Sequence, residues 1–313
     1  MNKILLLIGL IIMSNTLFSQ RDNQLEKQVP TFANLSYGTH EQQAFDIWLP
    51  SNTDEPAPLV IQIHGGGFKN GDKKNIRQSS IKQFLEAGFA VAAINYRLSD
   101  NGTYPIMMED AARCLQTIRS RAKEWNLNPD KVACYGGSAG GGISLWLGFH
   151  EDLADPGSDD PISRQSTRIT AVATAIAQST YDLHTFREWF GIPDLKAHES
   201  LYPFYGVKED SEWNSKRVRR LMKEASPITH LTKDDVPVYM AYGKGDFPVD
   251  KDTPGIQWVH HVKLGLKLQE AMRNLGLECE VKSADHPETK YGSIEAFIIT
   301  KLENNRTTLI KTK

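Results

Sequence analysis

The segment Gly136-Gly137-Ser138-Ala139-Gly140 sets a serine between glycines at Gly-x-Ser-x-Gly spacing, after the apolar run Lys131–Tyr135 and before the apolar run Ala139–Phe149. A serine at a sharp strand-to-helix turn needs glycine on both sides, because the turn is strained and its backbone crowded. Such a turn lifts the hydroxyl above a sheet edge, and the following helix N-terminus offers N–H groups and the positive end of its dipole to a developing negative charge. A glycine-rich turn of this kind can also hold a phosphate, so the motif alone leaves two chemistries open. A second glycine run, His64-Gly65-Gly66-Gly67, follows the apolar stretch Leu59–Ile63. That is where the second wall of an oxyanion hole must be built beside a serine on such a turn. The N–H groups of Gly66, Gly67 and Ala139 are the expected donors. His64 precedes the serine and is expected to orient the loop.

A nucleophilic serine needs a base, and the base an orienting acid; where the serine stands on such a strand-to-helix turn, acid and base follow it in the order Ser, Asp or Glu, His. The stretch Gly243-Lys244-Gly245-Asp246 comes directly after the apolar run Pro237–Tyr242, and an aspartate just beyond a strand tip is held rigidly enough to orient an imidazole. Asp246 is the expected acid, with Asp250 as the alternative. Three histidines follow: His260, His261 and His286. His286 comes after the run Glu278–Ser283 and before the last helical pattern, and is the expected base. The pair His260-His261 begins only 14 residues past Asp246 and is the alternative.

These residues need a frame. Alternating or continuous apolar runs predict strands at Gln42–Leu49, Leu59–Ile63, Phe89–Asn95, Lys131–Tyr135, Ile169–Ala177, Pro237–Tyr242 and Glu278–Ser283. Helical periodicity predicts helices at Ile76–Ala87, Ile106–Trp125, Ala139–Phe149, Val262–Leu275 and Ser293–Glu303. Strands alternating with helices imply an α/β fold with a mostly parallel sheet covered on both faces. The interval 181–235 offers helical patterns around His184–Phe190 and Ser211–Glu224 and reads as a helical cap inserted over the sheet's C-terminal edge. Its aromatics, Tyr181, Phe186, Trp189, Phe190, Tyr202, Phe204, Tyr205 and Trp213, would form either a platform beside the serine or the cap's own small core.

The start, with Lys3, the ten-residue apolar run Ile4–Met13 and then Ser14, Asn15 and Thr16, has the layout of a secretory signal peptide. It is too short to span a bilayer, which takes roughly 20 apolar residues. Residues 1–20 are therefore expected to be removed, leaving 21–313 as one domain that is exported and free of the membrane. A net charge of −2 gives no reason to expect nucleic acid as a partner. Cys114, Cys134 and Cys279 fall in predicted elements and are expected to be buried free thiols, and no His/Glu cluster stands at zinc spacing. No metal or organic cofactor is expected.

At His64-Gly65-Gly66-Gly67-Phe68, Asn95-Tyr96-Arg97-Leu98, Glu109-Asp110-Ala111, Asn128-Pro129-Asp130-Lys131 and Gly136-Gly137-Ser138-Ala139-Gly140-Gly141, the chain resembles the α/β-hydrolase superfamily. The likeness is to its carboxylesterase branch with hormone-sensitive-lipase-like and feruloyl or acetyl-xylan-esterase-like members, and is strongest over Leu59–Phe149. It implies the α/β-hydrolase fold, a Ser138–Asp246–His286 triad, an ester substrate carried by a small molecule or oligosaccharide, and Arg97 and Asp110 bracing the core near the nucleophile. It departs from the family at Asp285-His286-Pro287, where the family's histidine sits in a glycine-rich loop. The expected activity is hydrolysis of carboxylic esters of short or aromatic acyl groups on carbohydrates. A peptidase or lipase of the same fold, or a non-catalytic binding module, are the alternatives.

Overall fold

The computed structural model describes residues 26–51 and 53–304; the expected leader lies outside them. Eight strands form one sheet: β1 (Phe32–Ser36), β2 (Ala44–Trp48), β3 (Ala57–Ile63), β4 (Ala90–Ile94), β5 (Leu127–Gly137), β6 (Ala171–Ala175), β7 (Val238–Ala241) and β8 (Cys279–Lys282). Their order is β1-β2-β4-β3-β5-β6-β7-β8. The β1–β2 and β2–β4 pairs are antiparallel, and every pair from β4 to β8 is parallel. Every residue of β3 and β4 is buried, as a sheet covered on both faces requires. Side-chain alternation divides β3 between two cores: Leu59, Ile61 and Ile63 point to one face, and Val60 to the other with Val91, Ala133 and Phe297. This is the mostly parallel, helix-flanked sheet of the α/β-hydrolase fold.

Nine α-helices accompany the sheet among the described residues: α1 (Gln78–Glu86), α2 (Ile106–Ser120), α3 (Ala139–Phe149), α4 (Leu183–Phe190), α5 (Leu201–Tyr205), α6 (Lys216–Ala225), α7 (Gly255–Trp258), α8 (Val262–Asn274) and α9 (Ile294–Asn304). The α3 helix is buried along its whole length, so its glycine-rich, apolar sequence meets neighbours on every side. Between β6 and β7 the described chain is helical and holds no strand. There Phe204, Tyr205, Trp213, Val218 and Met222 pack among themselves and against the main core. Two segments differ from the sequence reading. β1 was not expected, because Phe-Ala-Asn-Leu-Ser lacks apolar alternation and its side chains are mostly exposed, the strand being held by pairing with β2 and by single contacts such as Phe32 on Trp125. The α2 helix ends at Ser120, five residues short of Trp125, whose ring is covered by the Arg121 guanidinium instead. The three cysteines are free, Cys114 and Cys134 buried.

The Arg97–Asp110 pair ties α2 to the chain leaving β4. Asp110 is 1% exposed, and its carboxylate accepts from Arg97 Nη2 at 2.6 Å, Arg97 Nε at 2.9 Å, Arg97 N at 2.9 Å and Gln43 Nε2 at 2.8 Å. That is the bidentate geometry of a strong pair, held on the buried side by a third partner. Removing the carboxylate strands these donors, so Asp110→Ala is expected to cost about 3 kcal/mol of unfolding free energy. Chemical denaturation would check it, and a loss below about 1 kcal/mol would reduce the pair to an ordinary solvated one.

Candidate active site

Ser138 stands at the junction of β5 and α3 with φ 49° and ψ −123°, a conformation that costs an L-residue on the order of 1–3 kcal/mol. The surroundings hold it there. Its N–H donates to the Ala175 carbonyl at 2.9 Å, and its own carbonyl accepts from Gly142 N at 3.0 Å. The flanking glycines are dictated by proximity: a Cβ on Gly136 would sit 2.4 Å, and one on Gly140 2.1 Å, from the Ile63 carbonyl oxygen. The helix therefore lies directly on the end of β3 and carries the serine above the sheet edge.

That end of β3 continues into the second glycine run. Gly66 and Gly67 have φ of 119° and 60°, and the Gly66 carbonyl accepts from Lys69 N and Asn70 N at 3.0 and 3.2 Å. His64, 2% exposed, stacks on Tyr96 with ring centres 4.4 Å apart, and its Nδ1 donates to the Gly65 carbonyl at 2.8 Å. The Tyr96 hydroxyl donates to the His64 carbonyl at 2.9 Å. Burial lowers the His64 imidazole below its ordinary pKa, keeping it neutral as a fixed part of the loop. Gly66, Gly67, Ser138 and Ala139 line one cleft.

The imidazole at the serine is that of His260. Its Nε2 lies 2.8 Å from Ser138 Oγ, and its Nδ1 lies 2.9 Å from the Ile256 carbonyl oxygen, four residues back. A carbonyl only accepts, so Nδ1 carries the proton and Nε2 presents its lone pair to the serine hydroxyl. His260 lies one residue beyond Val259, the C-cap of the short α7, on the connection between β7 and α8. The preceding carbonyl, that of Val259, accepts from the buried Gln178 Nε2 at 2.7 Å. Burial lowers the His260 pKa most; the Ile256 carbonyl opposes this, and nearby His198 adds to it.

The expected base and acid stand elsewhere. His286 is exposed beyond β8, beside a separate hollow with Leu266, Gln269 and Glu280, and it does not meet Ser138. Its backbone N–H turns back to Ser283, closing a tight turn at the strand end that keeps it at that edge. Asp246 is exposed and pairs with His261, whose Nε2 lies 3.5 Å from Asp246 Oδ1. His261 is fully buried, bonds the Phe247 carbonyl at 2.9 Å, and caps α8 by accepting from Lys263 N at 3.0 Å. Of the two adjacent histidines, one reaches the serine and its neighbour fastens the segment. Asp250 is engaged locally with Thr253 and Asp252.

The cleft has a volume of about 790 Å³, within the range of small-molecule sites. Phe68, Tyr181, Phe186 and Trp258 give it flat apolar walls, and Lys69, Glu199 and Lys251 are charged residues on its lining. Of the eight aromatics between 181 and 213, only Tyr181 and Phe186 line it; Phe204, Tyr205 and Trp213 are buried in the main core, Phe204 stacked on Phe68. Trp258, Gln178 and His198 belong to the site without having been singled out from the sequence. Trp258 was legible only as part of the aromatic–histidine string Trp258-Val259-His260-His261. Among the described residues no cluster of three or more His, Cys, Asp or Glu could hold a metal ion.

A strained serine between glycines above a parallel sheet, an imidazole on its hydroxyl and a glycine loop beside it fit a carboxylic ester hydrolase of the α/β-hydrolase fold. The chain belongs to the BD-FAE family, bifunctional feruloyl/acetyl xylan esterases among the carboxylic ester hydrolases, whose model matches residues 45–253. That match ends before both His260 and His286. The chain is 26% identical over 219 residues to the probable carboxylic ester hydrolase LipM of Mycobacterium tuberculosis, covering 68% of this chain and 47% of LipM. It spans about half the length of the curated relatives it matches first. A truncated carbohydrate esterase from gut microbiota superposes with a TM-score of 0.65 at 22% identity, over 87% of this chain and 96% of that one. An acetyl ester-xyloside bifunctional hydrolase from Caldicellulosiruptor lactoaceticus gives 0.64 at 19%, over 91% and 98%.

A base must be neutral to accept a proton, and a group with a lowered pKa stays neutral to lower pH. The acid limb of ester turnover is therefore expected to have its midpoint below about 6.5, the ordinary imidazole value. A kcat/KM profile against pH checks this, and a midpoint above about 7 would contradict the environment described for His260.

Proposed function

We propose that this chain is an exported serine esterase that removes short or aromatic acyl groups from carbohydrates, with Ser138 as nucleophile and His260 as general base. The observation that carries the reading is the 2.8 Å contact between Ser138 Oγ and His260 Nε2 in a cleft walled by the Gly66–Gly67 loop. As Oγ attacks the ester carbonyl carbon, its proton passes to Nε2. The carbonyl oxygen becomes an oxyanion stabilised by the N–H groups of Gly66, Gly67 and Ala139. The imidazolium then protonates the departing alkoxide, leaving an acyl-serine. Water, deprotonated by the same nitrogen, attacks the acyl-serine and releases the acid.

Support for a carbohydrate ester comes from three sides. The family is that of feruloyl and acetyl xylan esterases, and two structural neighbours are described as a carbohydrate esterase and an acetyl ester-xyloside hydrolase. The flat aromatic walls, Tyr181 and Trp258 among them, suit sugar faces and phenolic rings. The amino-terminal pattern of Lys3 and Ile4–Met13 favours delivery outside the cytoplasm, where polysaccharide fragments are met.

Ser138→Ala should lower kcat by a factor on the order of 10⁶, and His260→Ala by a comparable factor, while His286→Ala leaves it within about threefold. Steady-state kinetics on a chromogenic acetate would read all three. An inactive His286→Ala beside an active His260→Ala would transfer the base role. Comparison of kcat/KM for acetyl, butyryl, decanoyl and feruloyl esters, with acetate release from acetylated xylan, tests the substrate class. Preference for the decanoyl ester with no release from xylan would replace the reading by a lipase.

A further inference from the structure

The cleft that holds Ser138 carries a charge balance opposite to that of the chain. The sequence has 36 basic and 38 acidic side chains, a net charge of −2. The cleft lining has three lysines, Lys69, Lys196 and Lys251, against the single carboxylate of Glu199. The lysines arrive from separate segments: Lys69 just beyond the glycine loop, Lys196 between α4 and α5, and Lys251 between β7 and α7. Lys69 Nζ lies 3.2 Å from Glu199 Oε1, so that carboxylate is already engaged. Lys251 meets its exposed chain neighbour Asp252 at 3.0 Å, and Lys196 is exposed with no ion pair among the described residues. The aspartates nearest to them in sequence, Asp194 and Asp252, lie off the lining.

The neutral polar groups of the same wall are donors. Ser200, 8% exposed, sits against the glycine loop, where a Cβ on Gly67 would come 2.5 Å from its Oγ. Its hydroxyl makes no hydrogen bond among the described residues. His198 covers Gly255 at the start of α7, and its Nδ1 accepts from Ser200 N at 3.2 Å, which puts the ring proton on Nε2. Burial lowers the His198 pKa, Glu199 opposes this and Lys69 adds to it, so the ring is a neutral donor at neutral pH. Phe186 and Trp258 are buried, whereas the lysines are exposed, so a substrate meets apolar faces in the depth of the cleft and donors at its solvent edge. A neutral sugar hydroxyl donates as well as accepts. A carboxylate only accepts, and it brings the charge that this wall lacks.

Resting on the reading of this chain as a carbohydrate esterase, we propose that its substrates are esters on acidic oligosaccharides, in which a uronate carboxylate near the acylated sugar is held by Lys196 and Lys251, with Lys69 divided between it and Glu199. Ser200 and the His198 Nε2–H donate to the sugar oxygens beside it. The carboxylate is a recognition group and takes no part in the acyl transfer. Its attraction acts equally on bound substrate and transition state, so it lowers KM and leaves kcat nearly unchanged. The lysines are exposed, so salt screens the attraction.

The test compares two acetylated xylo-oligosaccharides of equal length, one neutral and one bearing a single glucuronate, and reads the ratio of their kcat/KM values in the full chain. The parent is expected to favour the acidic ester at least about fivefold at about 20 mM salt, through KM, and less than about twofold at about 0.5 M salt. Lys196→Gln combined with Lys251→Gln should bring the low-salt ratio below about twofold. Glu199→Gln, which frees Lys69, should raise it about twofold, a direction that a damaged fold does not produce. A parent ratio near one, with the neutral ester hydrolysed, overturns the inference and leaves the carbohydrate reading standing. Hydrolysis of a chromogenic acetate with neither oligosaccharide touched overturns both. A ratio that persists in the double lysine variant overturns the assignment to Lys196 and Lys251, and one that does not rise in Glu199→Gln overturns the part given to Lys69.

Discussion

The structure depends on how closely α3 can lie against the end of β3. With Gly136 and Gly140 facing the Ile63 carbonyl at distances no Cβ could share, the helix begins on top of the strand, and the residue between them is forced to a positive φ. Packing supplies the free energy for that strain, since α3 is buried from Ala139 to Phe149 and Ser138 is hydrogen-bonded through both its N–H and its carbonyl. The parallel register of β3, β5 and β6 brings the glycine loop after Ile63, the serine after Gly137 and the turn after Ala175 to one edge. Site and fold are thus the same constraint seen from two sides.

What sits over that edge is less regular, and this is where the imidazole that meets the serine is found. The chain after β7 does not cross at once to its helix; it loops through Gly243–Pro254, makes the single turn α7 and passes His260 over the serine before α8 begins. Fixing an imidazole on such a segment needs several anchors, which Gln178, the Ile256 carbonyl and His261 provide. The arrangement couples this imidazole to the cleft wall, because Ile256, Trp258 and Val259 line the same space as the residue they carry.

Much of the fold was legible in the sequence because buried parallel strands are continuous apolar runs, and β3 and β4 are apolar enough to be read with only their ends uncertain. The strained serine turn and the glycine loop were legible because backbone crowding restricts the residue types that fit. The histidine that meets the serine was not. The chain-order rule admits any histidine after the acid, and the fold's habit pointed to His286, which the tight turn at Ser283 keeps at the outer edge of β8. The decisive fact, that the loop after Asp246 is long enough to lay His260 on the serine, depends on tertiary anchors from Gln178 and Phe247 that leave no periodic signal. β1 was missed for a related reason: it is held by pairing with β2 and not by an apolar face of its own. The aromatics between 181 and 213 were visible as a group, but only packing could divide Tyr181 and Phe186 on the cleft from Phe204, Tyr205 and Trp213 buried in the main core.

The central claim is that one imidazole, that of His260, serves Ser138. A crystal structure of the full chain after reaction with a fluorophosphonate tests it most directly, since the adduct fixes the nucleophile and displays every group around the phosphoryl oxygen. The account predicts a covalent bond at Ser138 Oγ, the phosphoryl oxygen within hydrogen-bond distance of the N–H groups of Gly66, Gly67 or Ala139, and His260 as the imidazole beside the adduct with its Nδ1 on the Ile256 carbonyl. An adduct on another residue, or His286 swung in beside Ser138 with Asp246 behind it, would contradict the account.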